Sequence, residues 1–182
     1  MPTVAGAMHL PPILARREIS SNRFLSYVEE DLPDRHGKPY TYYQVESKWD
    51  AVIAVPILPD GRLVVERIYR HPYRHWFTEF PAGGIDPSES PVQAAIRELQ
   101  EETGYRAGSA RLLGTQEALP GVLRLTVHVV LCEDLVEIGG TSHEEMEMIQ
   151  VQRMTREECW TVAKEQPASS FLTLGLLWLG QA

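Results

Sequence analysis

Alternation of apolar and polar side chains marks much of this chain as β-sheet. Phe24 to Glu29 and Tyr40 to Glu46 read as two strands around a turn rich in Pro33, Asp34, Gly37 and Pro39. Ala51 to Leu58 is an apolar strand turned by Pro59-Asp60-Gly61, followed by Leu63 to Tyr69 and Trp76 to Phe80. Further on, Arg111 to Ala118 and Leu123 to Cys132 alternate like strands, and Glu147 to Val151 is a short strand candidate. Thr155 caps a helix running through about Glu165, and Ser169 or Ser170 opens a last apolar one. Residues 1 to 20, with Pro2, Pro11 and Pro12, are expected to begin loosely ordered. The sum is an α+β arrangement, a mixed sheet with helix packed on it.

The central helix carries the most information. Val92, Ala95, Ile96, Leu99 and Thr103 recur at helical spacing and predict a buried stripe. Ser90 is a good N-cap, Pro91 suits the first helical position, and Gln93 completes a capping-box spacing with Ser90. Gly104 is placed to end the helix in a left-handed conformation. Glu98, Glu101 and Glu102 share one face, where like charges repel by a few tenths of a kcal/mol per pair, so a cation belongs among them. Oxygen ligands suit a hard divalent ion, Mg²⁺ or Mn²⁺, which can neutralise a diphosphate and lower the pKa of a bound water. Arg97, one turn from Glu101, is placed to hold that carboxylate. The competing reading is a plain solvated acidic face.

Composition narrows the partners. With 43% hydrophobic residues the chain can bury a core, as one domain with at most a small added element. The 17 basic against 25 acidic side chains, a formal net charge of −8, argue against nucleic-acid or anionic-membrane binding. An anionic substrate must be met locally, by metal and a few arginines. Cys132 and Cys159 lie outside any CxxC pattern and read as buried free thiols in a reducing cytosol, so a cytoplasmic location is expected. His71, His75, His128 and His143 show no metal-ligand spacing. The longest apolar run, Phe171 to Leu179, is too short to span a bilayer.

From Gly83 to Tyr105 the chain has the spacing G-x5-E-x7-R-E-L-x-E-E-x-G-Y, carried by Gly83, Glu89, Arg97, Glu98, Leu99, Glu101, Glu102, Gly104 and Tyr105. This resembles the Nudix box, the signature of hydrolases that cut diphosphates joined to another group. The resemblance implies an α/β/α sandwich preceded by an N-terminal β-hairpin. It implies metal held by Glu98, Glu102 and the carbonyl of Ala82, with Glu101 assisting and Glu89 bracing Arg97 or a metal-bound water. Glu79-Phe80-Pro81-Ala82-Gly83-Gly84, the segment Glu66 to Pro72, and Pro120-Gly121 are similar to the ADP-ribose pyrophosphatase and nucleotide-sugar hydrolase branch. That likeness implies Arg67, Arg70, Glu79 and Pro120 as substrate-binding residues. It also implies residues 1–48 as an N-terminal extension serving a homodimer and 49–182 as the hydrolase domain.

Two departures from the branch stand out. Ile68 replaces a usual Gln, and Leu123-Arg124-Leu125 occupies the stretch where some members carry a catalytic Glu. The general base is then sought in Ser142 to Glu147, where Glu144 and Glu145 are the candidates and Glu147 is assigned to the start of the following strand. The expected substrate is a nucleoside diphosphate sugar, ADP-ribose first. A GDP- or UDP-hexose, or a binding module that senses a nucleotide without cutting it, are the alternatives.

Overall fold

The computed structural model describes residues 10–143, 147–165 and 167–182. The chain divides into two compact units: the N-terminal stretch to Lys48 with Ala118–Leu125, and Trp49–Glu117 with Thr126–Ala182.

In the first unit, β1 (Ala15–Ser21), β2 (Leu25–Pro33) and β3 (Pro39–Ser47) form an antiparallel meander. The β2–β3 turn is tied by Asp34, whose Oδ1 accepts from the N–H of His36 and of Lys38, both at 2.8 Å, with Gly37 at φ 80°. Strand β1 corrects the expectation of loose order before residue 20. All seven of its residues are exposed, so burial does not hold it. Cross-strand ion pairs contribute instead: Arg16 to Glu30 at 2.6 Å and to Glu46 at 2.9 Å, and Arg17 to Asp31 at 2.6 Å. Pairs this exposed are individually worth only a few tenths of a kcal/mol.

The second unit is built around β4 (Ala51–Pro56). It runs parallel to β10 (Leu123–Glu133) and antiparallel to β7 (Ala82–Gly84), with β9 (Ser109–Leu119) beside β10. The sheet is therefore mixed, as expected. A second antiparallel sheet orders β12 (Ile149–Met154), β5 (Leu63–Arg70) and β6 (His75–Glu79), with a 3₁₀ turn at His71–Tyr73. A short pair joins β8 (Tyr105–Arg106) to β11 (Val136–Glu137). The helices are α1 (Pro91–Thr103), α2 (Arg156–Lys164) and α3 (Ser170–Leu179), capped by Ser90, Thr155 and Ser169.

Successive side chains of β4 point to opposite faces. Val52 and Ala54 join Ala94, Ala95 and Leu99 of α1 in one buried cluster with Val130 and Cys132. On the other face Val55 meets α3: a Cβ built on Gly175 would lie 2.5 Å from the Phe80 ring and 3.1 Å from Val55. Helices thus cover both faces of this sheet, the sandwich expected. Within α1 the buried positions are Ala94, Ala95, Leu99, Glu102 and Thr103; Val92 and Ile96 are only partly covered. Both cysteines are free and buried. Among the described residues, no helix is long and apolar enough to cross a membrane.

Candidate active site

Helix α1 is fixed at both ends by local chemistry. Ser90 Oγ accepts from the Gln93 N–H at 3.3 Å while the Ser90 N–H donates to Gln93 Oε1 at 2.8 Å, the reciprocal capping box. Gly104 takes φ 74° and its N–H reaches the Gln100 carbonyl at 2.9 Å. Between these caps the helix turns its carboxylates toward β7.

Arg97 organises that face. Its guanidinium donates to both oxygens of Glu89 at 2.8 and 2.9 Å, to the Gly84 carbonyl at 2.9 Å, to Glu98 at 2.7 Å and to Glu101 at 3.1 Å. One planar fork so spans loop, strand and helix, which a lysine could not do. The Ala82 N–H donates to Glu102 Oε2 at 2.9 Å, locking the strand to the helix. Glu98 packs so closely on β7 that a Cβ on Gly83 would fall 2.0 Å from its Oε1. Ser142 donates its N–H to the Glu101 carbonyl at 2.8 Å, and His143 Nε2 lies 2.9 Å from the Glu102 carbonyl, a structural role. A small pocket of about 250 Å³ is lined by Gly83, Gly84, Arg97, Glu98, Glu101, Glu102, Ser142 and Glu147.

A further acid, Glu66 of β5, is 1% exposed and directly opposite Glu79 of β6. Burial pushes the carboxyls of Glu66, Glu98 and Glu102 above the usual range. Glu66 and Glu98 add to the rise at Glu102, itself 3% exposed, while Arg97 opposes the rise at Glu98. With Glu98 turned onto Arg97 and Glu102 onto the Ala82 N–H, no group of three or more His, Cys, Asp or Glu among the described residues is arranged to hold a metal ion as it stands. The donor set nonetheless fits a hard divalent cation. It offers only oxygen, its carboxyls destabilise one another as anions, and one buried oxygen, Glu66 Oε1, has no hydrogen-bond partner.

Next to the acidic pocket, and sharing Gly83 with it, opens a larger cleft of about 650 Å³. Arg70 and Glu79 stand in it, joined at 2.6 Å. Tyr73, Phe77 and Phe171 give it an apolar aromatic lining, and Pro167 to Ser170 close it at the start of α3.

The residues expected from the sequence are thus mostly brought together: Ala82, Glu98, Glu101, Glu102 and Arg97 around the pocket, and Arg70 and Glu79 in the cleft. Arg67 is not. Neighbouring residues of a strand face opposite ways, so while Glu66 is buried Arg67 is exposed and lines neither space. Pro120 sits in the turn closed by the Val122 N–H on the Leu119 carbonyl and is not among the residues lining the pocket or the cleft. Glu144 and Glu145 lie outside the described residues. Glu147, assigned to a strand start, instead precedes β12 and lines the pocket. Glu66 and the aromatic cleft were missed. A glutamate in the same strand phase as Val64 and Ile68 was the signal for the first.

The pattern of the NUDIX domain matches residues 48–172. The chain is 28% identical over 146 residues to the ADP-ribose pyrophosphatase of Bacillus subtilis (strain 168), covering 80% of this chain and 78% of that one. It is 33% identical over 122 residues to the ADP-sugar pyrophosphatase of Mus musculus, covering 62% of this chain and 56% of that one. The crystal structure of an ADP compounds hydrolase superposes with a TM-score of 0.85 at 23% identity, over 97% of this chain and 96% of the other. The domain match covers well over half of the residues, and with the box helix and the sandwich in place the chain belongs to the Nudix family.

Proposed function

We propose that this protein is a divalent-metal-dependent Nudix hydrolase that cuts the diphosphate of a nucleoside diphosphate sugar, ADP-ribose first, yielding AMP and ribose 5-phosphate. The observation that carries the reading is the shared wall. Gly83 borders both the acidic pocket, where a diphosphate meets oxygen-bound metal, and the aromatic cleft, which has room for an organic arm of the substrate. The ADP-ribose and ADP-sugar pyrophosphatases among its relatives support the substrate class.

Glu98, Glu102 and the Ala82 carbonyl hold Mg²⁺ or Mn²⁺, with Glu101 as a further ligand or water holder. When bound, the metal supplies charge neutralisation for the diphosphate and a water of lowered pKa. Arg97 keeps Glu98 and Glu101 oriented, and Arg70 meets the anionic substrate from the cleft side. Water adds to one phosphorus as the bridging P–O bond breaks. Its proton passes to a glutamate of the 144–147 loop, and the leaving phosphate departs with the bonding pair. Among the described residues of that loop, Glu147 lines the pocket.

The protein acts as a homodimer joined through its first unit. Ile13, Leu14, Ile19, Phe24, Leu25, Tyr27, Tyr40 and Tyr43 are all exposed there, apolar side chains that a second copy would cover. Light scattering at working concentration, giving twice the chain mass of 20.6 kDa, is the expected result.

The test is phosphatase-coupled phosphate release from ADP-ribose, ADP-glucose, GDP-mannose, UDP-glucose and NADH, each with Mg²⁺, with Mn²⁺ and with chelator. Metal-dependent turnover led by ADP-ribose is expected, and Glu102→Gln should lose orders of magnitude while remaining folded. Turnover led by a GDP- or UDP-hexose would keep the chemistry and replace the substrate. Nucleotide binding without any turnover would overturn the reading in favour of a sensor.

A further inference from the structure

Glu66 is a buried group of the site that the mechanism above does not use. It is 1% exposed, and its Oε1 is buried without a hydrogen-bond partner. A carboxylate oxygen at that depth is costly unless something positive or donating meets it. Arg70, whose charge opposes the rise at Glu66, gives its Nε and Nη2 hydrogen bonds to Glu79, at 3.2 and 2.6 Å.

The pleat of β5 says where the side chain goes. Val64, two residues earlier on the same face, packs in the cluster with Ala95 and Leu99 of α1. One step further along that face is Glu66, and one turn further along α1 from Leu99 is Glu102. Strand phase therefore carries Glu66 on the face of β5 whose Val64 packs with α1, and Glu66 is the charged group that most raises the Glu102 carboxyl. Glu98 and Glu147, which line the pocket above, act on Glu66 as well.

We propose that Glu66 is a further ligand of this site, its free oxygen joining Glu102 to hold a divalent cation from the sheet side, so that the cation is clasped between β5 and α1. The proposal rests on the metal-dependent reading above and adds a donor from outside the box helix.

Mn²⁺ binding, followed by loss of the free-ion electron paramagnetic resonance signal without substrate, tests it on the full chain. Wild type, Glu66→Gln and Glu102→Gln are compared. Glu66→Gln should bind Mn²⁺ at least tenfold more weakly, or bind one ion fewer, and Glu102→Gln likewise. Its melt in chelator should be no lower than that of wild type, which separates lost ligation from lost folding. If Glu66→Gln does not fold, Glu66→Asp keeps the charge and withdraws the oxygen by one methylene, and should show the same weakening. Wild-type Mn²⁺ affinity in the Glu66 variant, with Glu102→Gln impaired, would overturn the role of Glu66 and leave the hydrolase reading standing. Equal, negligible binding by wild type and a Glu98→Gln/Glu102→Gln double variant would overturn both.

Discussion

Replacing Gly83 by alanine tests the site through one methyl group. Gly83 lies in β7 opposite Val52, and its φ is not in the left-handed region, so the backbone accepts a side chain. The space does not. The new Cβ falls 2.0 Å from Glu98 Oε1 and 2.2 Å from its carboxyl carbon, whereas ordinary contact begins near 3.4 Å. Glu98 must retreat by roughly 1.4 Å, the gap between those distances. Because the obstacle is the end of a flexible side chain, the fold should lose little. Ala for Gly in a strand regains about 0.5–1 kcal/mol, which offsets part of the displacement. The melting temperature should stay within about 4 °C of wild type. Activity should not survive as well, since a misplacement of about 1 Å costs on the order of 100-fold in rate. Metal-dependent hydrolysis of ADP-ribose by Gly83→Ala is therefore expected to fall about 100-fold in kcat. Retention within threefold, at an unchanged melting temperature, would refute the idea that the position of the Glu98 carboxylate matters to the reaction.

Three further outcomes are expected. Glu66 and Glu102 have folded-state values raised above the ordinary 4.5, by burial first, with Glu66 and Glu98 adding to the rise at Glu102 and with Glu147 and Glu79 adding to that at Glu66 against the pull of Arg70, so their contribution to stability is present below pH about 4.5 and is lost as pH rises through the raised values. In chelator the melting temperature of Glu66→Gln relative to wild type should therefore climb from pH 5 to pH 8, and a flat difference would contradict it. Arg97→Lys cannot span Glu89, Gly84, Glu98 and Glu101 at once and should lower kcat/KM about 10- to 100-fold; an unchanged rate would show that the fork is dispensable. Gly104→Ala forces a side chain to φ 74°, with its Cβ 3.2 Å from Gly139 Cα, and should cost about 1–2 kcal/mol in denaturant titrations while activity at 25 °C persists.

What was legible in the sequence is what is local. The Ser90–Gln93 capping box, the Gly104 terminator and the Arg97–Glu101 pair span three or four residues each, so spacing alone reaches them. Strand β1 was not legible because no side chain in it is buried; its partners are acids ten or more residues away in sequence. Glu66 needed the register that sets β5 against β6 and the packing that puts Val64, on its own face of the strand, in one cluster with α1. The cleft needed residues 167–171 to return against residues 70–83, a distant closure that leaves no periodicity in the chain. Arg67 stands one residue out of strand phase with the buried Glu66, which in a sheet means the opposite face, and spacing alone did not show which face turns inward.

The parallel pairing of Ala51–Pro56 with Val127–Cys132 has a bearing on how the molecule is made. The box helix leaves the ribosome with its caps complete, yet Ala95 and Leu99 are covered in part by Val130 and Cys132, which are synthesised later. Such distant parallel contacts form slowly. Until residue 133 has emerged, the apolar side of α1 faces water, and a stalled or truncated nascent chain is a target for chaperones. Competence for catalysis then arises near the end of folding, so regain of turnover after dilution from denaturant would time the closing of that strand pair and not the formation of the helix.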